Sequence, residues 1–406
     1  MIPDDVLHRA GTLLRKYKVC DHCLGRAFME VEGADNEERG RKIREVLEGG
    51  QTPPEECYFC EGIFSRIDCY AGTAIRELQG YVFRTFRVGS HVPEKIIHRE
   101  EVLWEVIGAK SSETIKKHIN REVGKKIKGA TGKRYDAENP DIDVIVDVEA
   151  EDVRVQSNPL YIYGRYRKYA DMPQSKWPCR YCRGRGCERC GYSGRQWREA
   201  VEYYIADILL GVTGGKDTKF HAAGREDIDA RMLGTGRPFV MEIVKPRIRF
   251  EEWEWLRGEI NAHGEGKMEV LCLMPSNRKE VQDMKASEFN KTYRAFVECE
   301  GTVNEDDLKG LKELEGETVC QRTPERIKHR RPDILRRKKV LQISWESAGN
   351  TEFVLYITAE SGLYIKEFVS GDGGRTTPSV SEILGRPCRV TQLDVMEVHG
   401  GRRCSK

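Results

Sequence analysis

Apolar residues recur at three- and four-residue steps near the N-terminus, at Val6, Leu7, Ala10, Leu13, Leu14 and Tyr17, and again at Ile43, Val46 and Leu47. That period predicts two short amphipathic helices, because residues three and four apart share one helix face. Farther along, Ile115, Ile119 and Val123 mark a helix face that the pattern expects to stop near Gly124. Residues Ile142 to Val148 instead alternate apolar and polar, as a strand with one buried side does. After Gly191, "TEFVLYITA" and "CRVTQLDVMEV" alternate in the same way, and a short helix is expected between Pro378 and Gly385. Helix-period and strand-period segments are mixed along the chain, so the expected class is α+β. No long-period repeat or low-complexity tract breaks the pattern.

At 406 residues the chain is long for one core, and two or three domains are expected. With 39% hydrophobic and 33% charged residues it reads as a soluble globular protein. No stretch approaches the roughly 20 apolar residues of a membrane helix, so no membrane association is expected. The N-terminal "MIPDDVLHRAGTLLRKY" carries acids and bases where a signal peptide needs an apolar run. A cytoplasmic location follows as an expectation, and the 14 cysteines are read as thiols or metal ligands rather than disulfides.

The net charge of +2 says little about partners, but the distribution of charge says more. Between Gln321 and Lys339, nine Lys or Arg stand against Glu325 and Asp333, and between Tyr161 and Gly186 seven stand against Asp171. Such lopsided runs repel themselves unless an anion lies nearby; the alternative is a pair of solvated charged faces.

Cys20 and Cys23 in "CDHC" are matched by Cys57 and Cys60 in "CYFC". Two such turns complete a closed tetrahedral thiolate site, and structural zinc is the expected occupant. The metal would stabilise a small segment with thin helices. A second quartet, Cys179, Cys182, Cys187 and Cys190 in "CRYCRGRGCERC", has Gly184 and Gly186 between its pairs to permit the reversal. Zinc is again favoured, over a redox dithiol or an iron–sulfur cluster, so one or two zinc ions are expected. Cys69, Cys272, Cys299, Cys320, Cys388 and Cys404 show no ligand spacing and are expected to be small core or surface residues.

"NPDIDVIVDVEAEDVRVQSNPLYIYGRYRKY", with Gly164 and Arg165, resembles the end of a THUMP domain, an α+β tRNA-binding module. "GREDIDARMLGTGRPF" resembles the catalytic motif of pseudouridine synthases, in which a Gly-Arg-x-Asp run presents an aspartate to a flipped uridine. Together with "KTYRAFVE", "QRTPERIKHRRPD" and "LYIKEFVSGDGGRTTPSVSEILG", these motifs follow the order of the archaeal pseudouridine synthase ten family, which the chain resembles over nearly its whole length. The resemblance implies a helical zinc-binding segment over residues 1–70 and a THUMP-like tRNA-binding domain over 71–170. It further implies a second zinc knuckle or linker over 171–195 and a catalytic domain over 196–406, with an antiparallel or mixed sheet flanked by helices. The implied reaction isomerises uridine in the T arm of tRNA, at position fifty-five and often fifty-four, without an organic cofactor. A monomer is expected.

By the same resemblance, Asp227 is the catalytic carboxylate, as nucleophile or base, and Arg225 occupies or props the space a flipped base leaves. Tyr293 matches the tyrosine that stacks on that base, and Lys366 matches the basic residue that pairs with the catalytic aspartate. Ile365 and Leu393 match apolar walls of the pocket. Asp229 is the internal rival of Asp227, read as a loop aspartate bonding nearby amides. Arg322, Arg326, Lys328, Arg330 and Arg331 are expected to form a phosphate-binding patch beside the site.

Two other functions compete. "TGGKDT", Thr213 to Thr218, resembles the pyrophosphate loop of THUMP-containing ATP-dependent tRNA thiolases, which requires a buried strand before it and a helix after it. Here a charged, glycine-containing segment follows it. A non-catalytic zinc tRNA-binding protein is the other alternative, and it has no use for a carboxylate in a glycine-flanked loop.

Overall fold

The computed structural model describes residues 2–108, 112–347 and 349–404; the side chain of Arg330 lies outside the described residues. The chain divides into two compact units, Met1–Pro159 with Lys245–Arg249, and Leu160–Val244 with Phe250–Lys406.

In the first unit, strands β1 (Thr85–His91), β2 (Arg134–Tyr135), β3 (Ile142–Asp147) and β4 (Asp152–Ser157) lie in the order β2-β1-β3-β4. β1 runs parallel to β2 and β3, and β4 returns antiparallel to β3. The alternation read in the sequence is visible in β3, where Ile142, Val144 and Val146 are buried. The two expected N-terminal helices are Asp4–Lys16, which buries Val6, Ala10 and Leu13, and Asn36–Val46, whose Asp35 cap accepts from Glu38 N. Helix Ile115–Thr131 does not stop at Gly124: Ile127 extends its buried face, and the helix ends at Gly132 in the left-handed region.

The second unit is built on a ten-stranded sheet of the described residues. Its strands are β5 (Leu160–Lys168), β6 (Asp217–Ala222), β7 (Ala230–Val244), β8 (Met268–Ser276), β9 (Lys291–Cys299), β10 (Thr318–Arg322), β11 (Leu335–Ser347), β12 (Glu352–Ala359), β13 (Thr376–Thr377) and β14 (Cys388–Val398). The order is β13-β10-β11-β12-β9-β14-β7-β5-β8, with β6 also paired to β7. β14 and β7 pair in parallel and the other neighbours antiparallel, giving the mixed sheet that the family resemblance implies. Helices Val201–Thr213, Trp253–His263 and Arg278–Ala286 flank it. β9 shows how the sequence builds this layer: Lys291, Tyr293, Ala295, Val297 and Cys299 alternate onto one buried face.

Two further features differ from the reading of the sequence. β5, grouped there with the THUMP-like segment, lies between β7 and β8 in the second unit, where Tyr163 and Tyr166 are fully buried. Its Gly164 is required by close approach, since a Cβ would fall 2.7 Å from the Phe239 ring and 2.8 Å from Cys272 O. The second difference concerns Cys299 and Cys388, which form a disulfide, as do Cys272 and Cys404. The first pair are register partners on adjacent antiparallel strands, a proximity that sequence spacing conceals. As the sequence reading expected, "TGGKDT" lacks the setting of a phosphate loop: it closes a helix and leads into β6, with Gly214 as the helix cap. The helix therefore meets this segment with its C-terminus, the reverse of the strand–loop–helix order a phosphate loop needs. No helix among the described residues is long and apolar enough to cross a membrane.

Candidate active site

Residues 223–229 connect β6 to β7, and buried side chains hold the carbonyls of this loop. Arg237 Nη1 donates to Ala223 O (2.6 Å) and Gln174 Nε2 to Gly224 O (3.1 Å). Lys168 Nζ donates to Asp227 O (3.1 Å), Ile228 O (2.8 Å) and Met172 O (2.9 Å). Lys168 is fully buried, and burial lowers its ammonium below the usual lysine range, while the nearby charges of Glu226, Asp171 and Asp229 work the other way. Gly224 takes φ +80°, and a Cβ on it would lie 3.2 Å from Arg237 Nη1, so both conformation and space call for glycine.

Within the loop the acids part ways. Glu226 turns inward, 2.8 Å from Arg237 Nε, and accepts from Tyr166 Oη at 2.8 and 3.0 Å. Breaking this buried pair would leave an uncompensated charge, which typically costs about 3–5 kcal/mol. It therefore anchors the residue beside Asp227. Asp227 and Asp229 remain accessible, the first half-buried and the second exposed.

A cavity of about 590 Å³ opens in front of the loop, and Arg225, Asp227, Tyr293, Ile365, Lys366 and Leu393 all line it. Asp229 does not. Tyr293 comes from β9, Leu393 from β14, and Ile365 and Lys366 from the start of helix Ile365–Ser370. Burial, against the pull of Arg237, pushes the Tyr293 phenol up to about 12, so it keeps its proton at neutral pH. Arg225 is exposed at the rim.

The ion pairs differ from those the motifs imply. Lys366 Nζ lies 2.6 Å from Asp229 Oδ2, not on Asp227. The partner of Asp227 is Arg326, whose Nη2 lies 2.8 Å from Oδ2 while its Nε donates to buried Glu367 at 2.7 Å. A forked guanidinium can hold two carboxylates at once, which a lysine at the helix start does not match in geometry. Although partial burial works the other way, the hydrogen bond and charge of Lys366 hold the Asp229 carboxyl below the usual range. Arg326 is thus drawn out of the expected phosphate patch into the site. Of the other members, Arg331 also lines the cavity, Arg322 and Lys328 are exposed, and the side chain of Arg330 lies outside the described residues.

Among the lining residues that sequence reasoning missed are Lys291 and Tyr364. Lys291 Nζ donates to Phe289 O (2.8 Å) and Ser361 Oγ (3.1 Å), and burial, then the charges of Arg237 and Lys338, lower its ammonium to about 8. Tyr364, just before helix Ile365–Ser370, has Arg336 over its ring at 5.5 Å. The "KTY" and "LYIK" phrases contain Lys291 and Tyr364, but nothing in their spacing marks them as lining residues.

Each cysteine quartet gathers its four sulfurs within 4.8 Å of one another. Metal–sulfur bonds of about 2.3 Å put the edges of a regular tetrahedron at about 3.8 Å. Cys20 and Cys60 sulfurs are 3.7 Å apart, and the second quartet shows 4.0, 3.9 and 3.7 Å. Backbone N–H groups of Gly186, Cys187 and Gly194 each donate to a sulfur of the second quartet at 3.2 Å, which favours thiolates. Both clusters fit a metal ion. Elemental analysis of the purified protein is expected to return about two metal ions per chain by the four-ligand rule. Cys179→Ser should remove one and leave the other; loss of both, or none at the start, would contradict two independent sites.

Residues 161–399 match the family described as "Pus10, C-terminal", and residues 70–147 match "Pus10 THUMP domain, archaeal". A protein of Methanothermobacter marburgensis named tRNA pseudouridine synthase Pus10 is 44% identical over 97% of this chain and 99% of its own. Its namesake in Methanothrix thermoacetophila is 40% identical over 98% of this chain and 96% of its own. Among solved structures, a Cbf5-Nop10-Gar1 complex is similar at 15% identity and a TM-score of 0.32, over 58% of this chain and 48% of that one, too slight a likeness to inform the site. With both domain matches in order and the relatives aligned nearly end to end, the chain belongs to the Pus10 family.

Proposed function

We propose that this protein isomerises uridine to pseudouridine in the T arm of tRNA, at position fifty-five and also fifty-four, with Asp227 as the catalytic carboxylate. The observation that carries the reading is the meeting of Asp227, Arg225, Tyr293, Ile365, Lys366 and Leu393, drawn from four separate parts of the sequence, in one cavity. In the reaction the N1–C1′ bond breaks, a C5–C1′ bond forms, the C5 proton leaves and N1 gains one. A uridine within a folded tRNA must be extruded first, at a cost of a few kcal/mol. Arg225 is free at the rim to fill the space it vacates. The Tyr293 ring stacks on the extruded base as a neutral phenol, while Ile365 and Leu393 exclude water. Arg326, fixed by Glu367, sets the direction of the Asp227 carboxylate.

Zinc is the metal proposed for the two quartets, in a structural role, and the protein is proposed to act as a cytoplasmic monomer. Residues 71–159 grip a remote part of the tRNA, and the 196–406 segment carries the chemistry on a sheet completed by β5. Arg322, Lys328 and Arg331 add phosphate contacts beside the cavity. A tRNA transcript labelled with tritium at uridine C5 tests the reaction. The protein should release the label to water without cleaving the strand and with no nucleoside triphosphate present. No release of label, with sulfur incorporated once ATP and a sulfur donor are added, would instead favour a thiolase-like activation.

A further inference from the structure

Behind the catalytic loop lies a second, smaller cavity of about 250 Å³. Trp177, Pro173, Ile228 and Ile327 give it apolar walls, with Arg225 and Asp229 at its exposed rim. It shares residues 225–227, Arg326 and Ile327 with the larger cavity, so a single layer, the loop with the Asp227–Arg326 ion pair and Ile327, separates the two.

The Trp177 wall is firmly built. Trp177 O accepts from Gln196 N at 2.8 Å, Pro178 bridges to Arg195, and Cys179 N donates to Gly194 O at 2.7 Å, so the hairpin that carries the second cysteine quartet springs directly from Trp177. On the other side, Pro173 O and Gln174 O accept from Val201 N and Glu202 N, the first residues of the flanking helix. The backbone that carries a half-buried indole is thereby fixed beside the catalytic loop, although the indole takes no part in the reaction as described.

We infer that this second cavity takes the base of a nucleotide adjacent to the target uridine, stacked on Trp177. The inference rests on the isomerase reading above. Successive bases of a single strand, once splayed apart, can enter neighbouring pockets, and proteins that hold them so use aromatic faces with polar groups at the base edge. The size suits one planar heterocycle, since it falls just below the range of about 300–1,000 Å³ occupied by drug-sized ligands. Arg225 stands at the rim of both cavities, where it can contact the backbone linking the two nucleotides. Placing the neighbour behind the loop also keeps the uridine from restacking on it. The second cysteine hairpin, on this reading, fixes the wall of a nucleotide subsite.

The test uses full-length protein and unmodified tRNA, either intact or assembled with one abasic residue on the 5′ or the 3′ side of the target. On intact tRNA, Trp177→Ala is expected to lose about tenfold in kcat/KM, the order of one base–aromatic stack. Wild-type protein should lose about as much on one of the two abasic substrates, and Trp177→Ala should lose little more on that substrate than on intact tRNA. Trp177→Phe should keep most of the activity on intact tRNA and remain sensitive to the same abasic position. Losses that multiply at both positions, or a Trp177→Ala protein as active as wild type, would overturn the inference. Failure of wild-type protein to convert intact tRNA would instead overturn the isomerase reading, so the two failures are distinguishable.

Discussion

Replacing Asp227 by Asn is expected to lower the single-turnover rate of isomerisation by about 10⁴-fold or more, the order seen when a group that acts directly on the reacting bond is removed. Affinity for tRNA should change little. The carboxamide keeps the shape of the side chain and an oxygen for Arg326, 2.8 Å away in the native protein, but it has no charged oxygen to offer a sugar carbon or a proton. Asp229→Asn should cost far less. Its ion pair with Lys366 is 60% exposed on the aspartate side, and exposed pairs contribute about 0–1 kcal/mol. Rapid-quench assays paired with filter binding separate the two variants. A severe rate loss with Asp229→Asn and a mild one with Asp227→Asn would transfer the catalytic role to the second aspartate.

A fragment beginning at Arg195 is expected not to fold, whereas one beginning at Leu160 should unfold cooperatively. The difference is β5. This strand pairs with β7 on one side and β8 on the other, and Tyr163, Tyr166 and Lys168 on it are fully buried. Removing a single buried aromatic side chain typically costs about 3–5 kcal/mol, and whole domains have only about 5–15 kcal/mol to lose. Without β5 the sheet also gains two unpaired edges, and the catalytic loop loses the Lys168 hydrogen bonds to Asp227 O and Ile228 O. Circular dichroism with urea titration of the two fragments decides it; a cooperative transition in the Arg195 fragment would show that β5 is dispensable.

What the sequence made legible was short-range. The spacing of Cys20, Cys23, Cys57 and Cys60, and of the second quartet, identified two clusters whose sulfurs do converge. Alternation found β3, β12 and β14, and the helical period found the N-terminal helices. What escaped was set by tertiary neighbours. Nothing near Asp227 in the chain reveals that its partner is Arg326 rather than Lys366, because that choice depends on where the turn Glu325–Arg330 meets the loop. The Cys299–Cys388 disulfide depends on strand register, and Gly124 misled because a glycine inside a helix weakens it without ending it while the apolar face continues.

The central claim is that this chain, unaided, converts specific tRNA uridines to pseudouridine. The most direct measurement is to incubate an unmodified tRNA transcript with the purified full-length protein, without nucleoside triphosphate or organic cofactor, and to map pseudouridine at single-nucleotide resolution. The account predicts conversion confined to the T arm, at position fifty-five and also fifty-four, and none with Asp227→Asn. No conversion by the wild-type protein, or conversion that persists in the Asp227→Asn variant, would contradict it.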